Sequence, residues 1–343
     1  MSELFASKLA PTVHRSWMNL YRATYRLTPE RTLITTPGTH DMAKNRPRSR
    51  IYPTAKETLR ASEKRINTEQ TQSPTYRLAF ADGDYLLSDS TRAVRLMLEW
   101  MKFDELLESA GIEHTIVMFG SARIGTREQM QVRVSALKSA LKQDKDNRDL
   151  LEQLAVAERL LEKSQYYEAA HALAFRIARE GDSQFGFPCS VVTGGGPGIM
   201  EACNQGAFDA GAESIGLNIV LPTEQHPNPY TTPRFSFQFH YFAIRKMHFL
   251  MRARAIIAFP GGYGTLDEVF ETLTLRQTGR VTRLPIILLG ESYWRRIINF
   301  DALVEEGVVS PSDLNLFRYA ETADEAFDQI AMFYQQYPVL AES

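Results

Sequence analysis

The chain has few cysteines, no long apolar run and almost no net charge, and each shortage narrows what it can be. Two cysteines, Cys189 and Cys203, in 343 residues cannot build a disulfide framework, and they fit a reducing compartment. Neither sits in a CxxC pair, so both read as buried thiols. No apolar stretch approaches the roughly 18 residues of a membrane span. The opening MSELFASKLAPTVHRSW lacks the unbroken apolar core of a secretion signal. A net charge of −2 gives no whole-molecule sign of nucleic acid or an anionic membrane. His226, His240 and His248 are not spaced as a metal set. The phosphate-loop pattern GxxxxGK[ST] is missing. GGGPGIM is not a dinucleotide fingerprint, because Gly194 and Gly196 are followed by Gly198 and not by Gly or Ala at 199. The expectation is a cytoplasmic protein that needs no metal.

What is present is a globular composition, 44% hydrophobic and 23% charged, enough for a sizeable core. Residues 1–52 are basic, with nine Lys or Arg against three acidic residues, as in a transit segment, a basic arm or a solvated tail. Residues 1–75 read as a partly disordered extension with some helix near 14–26. Residues 76–112 read as a helical lead-in that stops at Gly111. From 113 to 336 strands and helices alternate. Short β-branched runs at 114–120, 188–196, 214–222, 254–262 and 284–290 suit parallel strands covered on both faces. The fold class is therefore α/β, a Rossmann-like open parallel sheet with helices on both faces. A charged stretch at 126–165, with Leu and Ala at helical intervals, interrupts the alternation as a helical hairpin turning near KQDKDNRD.

Three strands end in glycine-containing turns: FGSAR (119–123), TGGGPGIM (193–200) and FPGGYGT (259–265). Glycine lets backbone N–H groups approach an anion, and the following helix aims its N-terminus at the same point. In an open parallel sheet such turns share one edge, so they predict a phosphate site.

PGGYGTLDE (260–268) resembles the PGGxGTxxE signature of the LONELY GUY (LOG) family, nucleoside 5′-monophosphate phosphoribohydrolases often mislabelled as lysine decarboxylases. GGGPGIMEA, LPTEQHPNPY, YFAIRKMHF and LTLRQTG follow in the expected order around it, and the resemblance covers roughly residues 113–336. The N-terminal 112 residues lie outside the compact family core, as in the longer bacterial members.

The resemblance implies that Arg245 and Glu268 are catalytic. It places Gly261, Gly262, Gly264 and Thr265 around the phosphate, with Tyr263 and Asp267 in the same segment. Gly120, Ser121, Gly194, Gly195, Gly196, Lys246 and Thr274 join them as substrate-binding positions, and Glu224 matches more loosely. FAIRK lacks the His and Met of the family's MHxRK, which leaves the base preference open. The implied substrate is AMP or a cytokinin ribotide, with no organic cofactor and a homodimer or larger assembly. Lysine decarboxylation is disfavoured, because no lysine sits in a recognisable pyridoxal-phosphate context.

Other readings stand beside these. Thr265-x-x-Glu268 also fits a capping box, and Arg245–Lys246 also fits a solvated helix face. Met247, Phe249 and Leu250 suit the core. Physically, a carboxylate near C1′ stabilises the positive charge that builds on ribose as an N-glycosidic bond breaks. Glu268, expected in the first turn of its helix, would reach the sugar from there. A non-catalytic nucleotide carrier on the same fold is the alternative.

Overall fold

The computed structural model describes residues 52–222 and 226–339. The helix expected near 14–26, and Glu224, lie outside the described residues.

The run TIVMF shows why a parallel sheet forms. All five residues of β1 (Thr115–Phe119) are buried. Ile116 and Met118 enter one core, while Val117 and Phe119 enter the other. A strand with an apolar layer on each side has to be apolar throughout. The other inner strands, β2 (Ser190–Thr193), β3 (Ser214–Ile219), β5 (Ala253–Ala258) and β6 (Ile286–Leu289), are buried at every position except the half-buried Ser190 and Arg254. Two further strands, β4 (Ser236–Phe239) and β7 (Arg318–Ala320), are the sheet's edges. They were not expected from the sequence: SFQF and RYA are short and part exposed, so they lack the continuous apolar signal of an inner strand.

All six pairings are parallel, and the order is β4-β3-β2-β1-β5-β6-β7. The chain starts at the centre and steps outward to β4. It then returns to β5 beside β1 and steps outward the other way. Successive connections on the two sides therefore use opposite faces of the sheet.

The helices are α1 (Ala55–Ser62), α2 (Glu69–Gln72), α3 (Gly83–Leu87) and α4 (Arg92–Ser109), then the pair α5 (Arg127–Gln143) and α6 (Arg148–Glu162). They continue with α7 (Gln165–Phe185), α8 (Ile199–Asp209), α9 (Phe242–Met251), α10 (Tyr263–Gln277), α11 (Glu291–Ile297), α12 (Phe300–Glu305) and α13 (Ala323–Gln336). Leu173 and Ile177 of α7, Cys203 of α8 and Phe327 of α13 fill the core on one face. Phe103 and Leu107 of α4, Phe249 of α9, Val269 of α10 and Trp294 of α11 fill the other. Helix α4, which precedes the sheet in sequence, thus contributes to the sheet's own core. Cys203 is fully buried, and burial pushes its thiol well up; Cys189 is half-buried and pushed up to about 12.

Helices α5 and α6 pack on each other and turn at Asp144–Asn147. Thr126 and Gln129 form a capping box at the start of α5, and Asn147 caps α6. Lys138 and Glu158 pair across them at 2.8 Å.

One buried polar network ties β2 and β3 to the loop that leads into β4. The fully buried Asn204 on α8 accepts hydrogen bonds from Thr193 Oγ1 (2.7 Å) and Asn228 Nδ2 (2.9 Å), and donates to Ser214 Oγ (2.9 Å). Removing Asn204 leaves the Thr193 hydroxyl without its acceptor and Ser214 Oγ without its donor, both buried. Asn204→Ala should therefore lower stability by about 2–4 kcal/mol, read as a lower urea midpoint with an unchanged m-value.

Candidate active site

The reversal of strand order lies between β1 and β5, so the loops that leave their carboxyl ends diverge there. A cleft of about 790 Å³ opens at this point, where ligands bind in open α/β sheets. The backbone stitches its turns together. Phe259 N–H donates to the Phe119 carbonyl (2.8 Å), Ser121 N–H to the Pro260 carbonyl (3.1 Å), and Ile199 N–H to the Ser121 carbonyl (3.1 Å).

Helix α10 begins at Tyr263 after Gly262, which has no side-chain cap. Its first helical hydrogen bond runs from Leu266 N–H to the Gly262 carbonyl at 3.0 Å. The N–H groups of Tyr263, Gly264 and Thr265 precede that bond, at the positive end of the helix dipole. A side chain at Gly261 would overlap the Thr265 side chain, so glycine lets the turn close onto the helix start. Tyr293 of α11 donates its hydroxyl to the Gly261 carbonyl at 2.5 Å, which pins the turn from the opposite side.

Arg245 enters from α9. Its Nε donates to the Leu217 carbonyl at 2.7 Å, and its guanidinium lies over the Phe249 ring, 5.1 Å from the centroid. A Cβ at Gly194 would sit 2.7 Å from Arg245 Nη2 and 2.8 Å from Met200 Sδ. Glycine at 194 thus makes room for the arginine. Burial lowers the Arg245 pKa, and the neighbouring Glu268 carboxylate raises it.

Glu268 is buried, with 6% of its surface exposed. Among the described residues nothing donates a hydrogen bond to its carboxylate. On balance it is pushed up to about 7, chiefly by burial, with Lys246 and Arg245 pulling it down and Glu271 and Asp267 pushing it up. The capping-box reading of Thr265 and Glu268 does not hold, because Gly262 is the N-cap. Glu268 is the sixth residue of α10 and so lies in its second turn, not its first. From there it reaches back along the helix towards the cleft, as helical side chains lean N-terminally.

The cleft brings together Gly120, Ser121, Gly194, Arg245, Gly261, Gly262, Tyr263, Gly264, Thr265, Asp267 and Glu268. Four other expected positions lie elsewhere. Gly195 and Gly196 shape the turn after β2: their carbonyls accept from Asn228 N–H (2.8 Å) and Asn228 Nδ2 (3.0 Å). Lys246, one residue on from Arg245, is rotated about 100° around α9 and pairs with Asp267 and Glu271, each at 3.0 Å. Thr274 lies on α10 some three turns from its N-terminus, roughly 16 Å along the axis. Its hydroxyl donates to the Phe270 carbonyl at 2.8 Å, beside a separate cavity of about 160 Å³.

The structure also adds residues that sequence reasoning did not select. Arg123 and Phe242 line the cleft, as do Leu160 at the end of α6 and Lys163 just after it, Tyr293, and Phe249, which was expected only in the core. Arg123 was visible within the FGSAR turn. Tyr293, Leu160 and Lys163 carried no signal, since folding alone brings them there. Among the described residues no group of three His, Cys, Asp or Glu is placed to hold a metal ion.

The Glu268 carboxyl holds its proton more tightly in the folded chain than in the unfolded one. Stability from this group is therefore fully present below the ordinary value of 4.5 and declines as pH rises to about 7. Glu268→Gln should stabilise the ligand-free protein by roughly 3 kcal/mol more at pH 8 than at pH 4.5. Thermal or urea unfolding of both proteins across that range checks it.

With the geometry established, comparisons with known proteins identify the lineage. A family model described as "Possible lysine decarboxylase" matches residues 200–330. The chain is 32% identical over 173 residues to the "Probable cytokinin riboside 5'-monophosphate phosphoribohydrolase LOGL3" of Oryza sativa subsp. japonica, covering 49% of this chain and 77% of that protein. It is 33% identical over 168 residues to the "Cytokinin riboside 5'-monophosphate phosphoribohydrolase LOG3" of Arabidopsis thaliana, covering 48% and 73%. Among solved structures, the molybdenum cofactor carrier protein of Chlamydomonas reinhardtii aligns at 16% identity and a TM-score of 0.35, over 64% of this chain and 97% of that one. The two phosphoribohydrolase matches cover roughly three quarters of each relative at about one identical residue in three, and on that ground the chain belongs to the LOG family.

Proposed function

We propose that the protein hydrolyses the N-glycosidic bond of a purine nucleoside 5′-monophosphate, AMP or a cytokinin ribotide, to free base and ribose 5-phosphate. The observation that carries this reading is the position of Glu268: a buried carboxylate with no hydrogen-bond donor among the described residues, in the cleft that also holds the N-terminal N–H groups of α10, and beside Arg245. No helix is long and apolar enough to cross a membrane among the described residues.

The division of labour follows from charge. The 5′-phosphate sits on the N–H groups of Tyr263, Gly264 and Thr265, where an anion is favoured. Binding energy at that end positions the sugar. As the bond to the base lengthens, positive charge grows on the ribose ring, and the Glu268 carboxylate stabilises it. Water attacks C1′, and its proton passes to Glu268 and then to the departing base nitrogen, so the carboxylate is regenerated. Arg245, fixed by the Leu217 carbonyl and the Phe249 ring, favours the ionised form of Glu268.

Incubating the protein with a panel of nucleoside monophosphates and separating the products by chromatography tests the reading. AMP or a cytokinin ribotide should release free base, and adenosine should be a far poorer substrate because it lacks the phosphate. Equal kcat/KM for AMP and adenosine would remove the phosphate site from the argument. Binding of AMP without release of adenine would make the protein a nucleotide carrier.

Glu268→Gln should lower kcat by roughly two orders of magnitude or more, the scale for losing one electrostatic stabiliser, while AMP still binds. Because the ionised carboxylate is the working form and is half populated near pH 7, wild-type kcat/KM should rise with pH and level off above about 7. A flat profile between pH 5 and pH 9 would exclude Glu268 as the titrating group.

A further inference from the structure

Lys246 sits beside the proposed catalytic arginine, yet its ammonium lies outside the cleft. Its side chain is 16% exposed and spans from α9 to α10, where Nζ lies 3.0 Å from Asp267 Oδ1 and 3.0 Å from Glu271 Oε2. Asp267, Glu268 and Glu271 are three carboxylates within little more than one turn of one helix. Asp267 and Glu271 are one helical turn apart, and Glu268 lies between them in sequence. Three like charges so close oppose one another's ionisation, most strongly at the member with least access to water. That member is Glu268, which is buried, whereas Asp267 is exposed.

We propose that Lys246 is a positioning residue: bridged to Asp267 and Glu271, its ammonium offsets the two carboxylates that flank Glu268 and so favours the ionised form of Glu268. The inference rests on the reading of Glu268 as the working carboxylate. The charged groups facing Glu268 are Arg245 and Lys246 from α9, and Asp267 and Glu271 from its own helix. Arg123 and Lys163 also line the cleft. Arg245 also favours the ionised Glu268, but Arg245 faces the ligand. Lys246 offsets the negative side of the cluster through its pairs with Asp267 and Glu271. The bridge also joins α9 to α10, the two helices that carry the candidate catalytic pair.

The test reads the proton directly and does not depend on turnover. In protein labelled with ¹³C at the glutamate carboxyls, the Glu268 resonance is assigned by its loss in Glu268→Gln, and its chemical shift is followed from pH 4 to pH 10. Lys246→Met should raise the Glu268 midpoint by about one pH unit or more, the usual size for loss of a nearby opposite charge. Lys246→Arg should restore it. Glu271→Gln, which leaves the lysine in place, should lower it.

In parallel, the pH profile of kcat/KM for AMP should show Lys246→Met losing about tenfold more activity at pH 6 than at pH 9. A purely structural lysine would scale activity down equally at all pH values and leave the carboxyl midpoint unmoved. An unmoved midpoint in both Lys246→Met and Glu271→Gln overturns the proposal. A midpoint that moves in a protein that releases no base from any nucleotide sustains the electrostatic coupling and sinks the hydrolase reading instead.

Discussion

The structure around the cleft depends on one constraint: a carboxylate taken out of water without hydrogen-bond donors needs positive charge beside it. Glu268 meets that condition through two neighbours on α9, and the consequences spread outward. Arg245 is itself half-buried and needs an acceptor, which the Leu217 carbonyl of β3 supplies at 2.7 Å. Its guanidinium then occupies space that a side chain at Gly194 would fill. Lys246 takes its partners from α10. The charge balance of one side chain is thus linked by direct contacts to β3, the turn after β2, and helices α9 and α10.

Sheet topology supplies the other half. Strand order reverses at β1 and β5, so the two loops leaving their ends part instead of covering the crevice between them. Backbone hydrogen bonds from Ser121 to Pro260 and from Ile199 to Ser121 lock the parted loops into one rim. The N-terminal end of α10 faces this rim because the helix begins at Tyr263, only five residues after β5 ends at Ala258. The sharp break in FPGGYGT is thus a geometric requirement: the chain leaves a buried strand and enters a helix within a single turn, and Gly261 permits it by leaving room for Thr265.

How much of this was legible in the sequence follows from the kind of signal each part leaves. The five inner strands are continuous apolar runs because both faces are covered, and such runs are visible without a structure. The edge strands β4 and β7 pair on one side only, and four- and three-residue segments with exposed positions leave no comparable mark. The eleven expected residues that line the cleft sit on turns after β1, β2 and β5 or at helix positions facing that edge, so motif and topology agree on them. Lys246 and Thr274 show where the reading ran out. Adjacent residues on a helix point about 100° apart, and sequence does not say which of Arg245 and Lys246 faces inward. Thr274 shares a helix with Glu268 but lies further along its axis, and a motif read in one dimension does not separate the two. Leu160, Lys163 and Tyr293 are distant in sequence from every motif, and they reach the cleft only because α6 and α11 pack beside it.

The same arithmetic that strains Glu268 is what would make it useful. A carboxylate in bulk water titrates near its ordinary value and is a weak base at neutral pH. Burial pushes this one up to about 7, where its affinity for a proton matches the medium in which proton transfer is most effective. Without Arg245 and Lys246 the same burial would shift it further towards the protonated form, which cannot stabilise positive charge. Without the burial, the two cations would hold it fully ionised and poorly basic. The working state lies between those limits, and it is reached by opposing two large terms within one turn of helix. Holding that balance costs the folded protein stability at neutral pH, the kind of cost the proposed catalytic role of Glu268 would require.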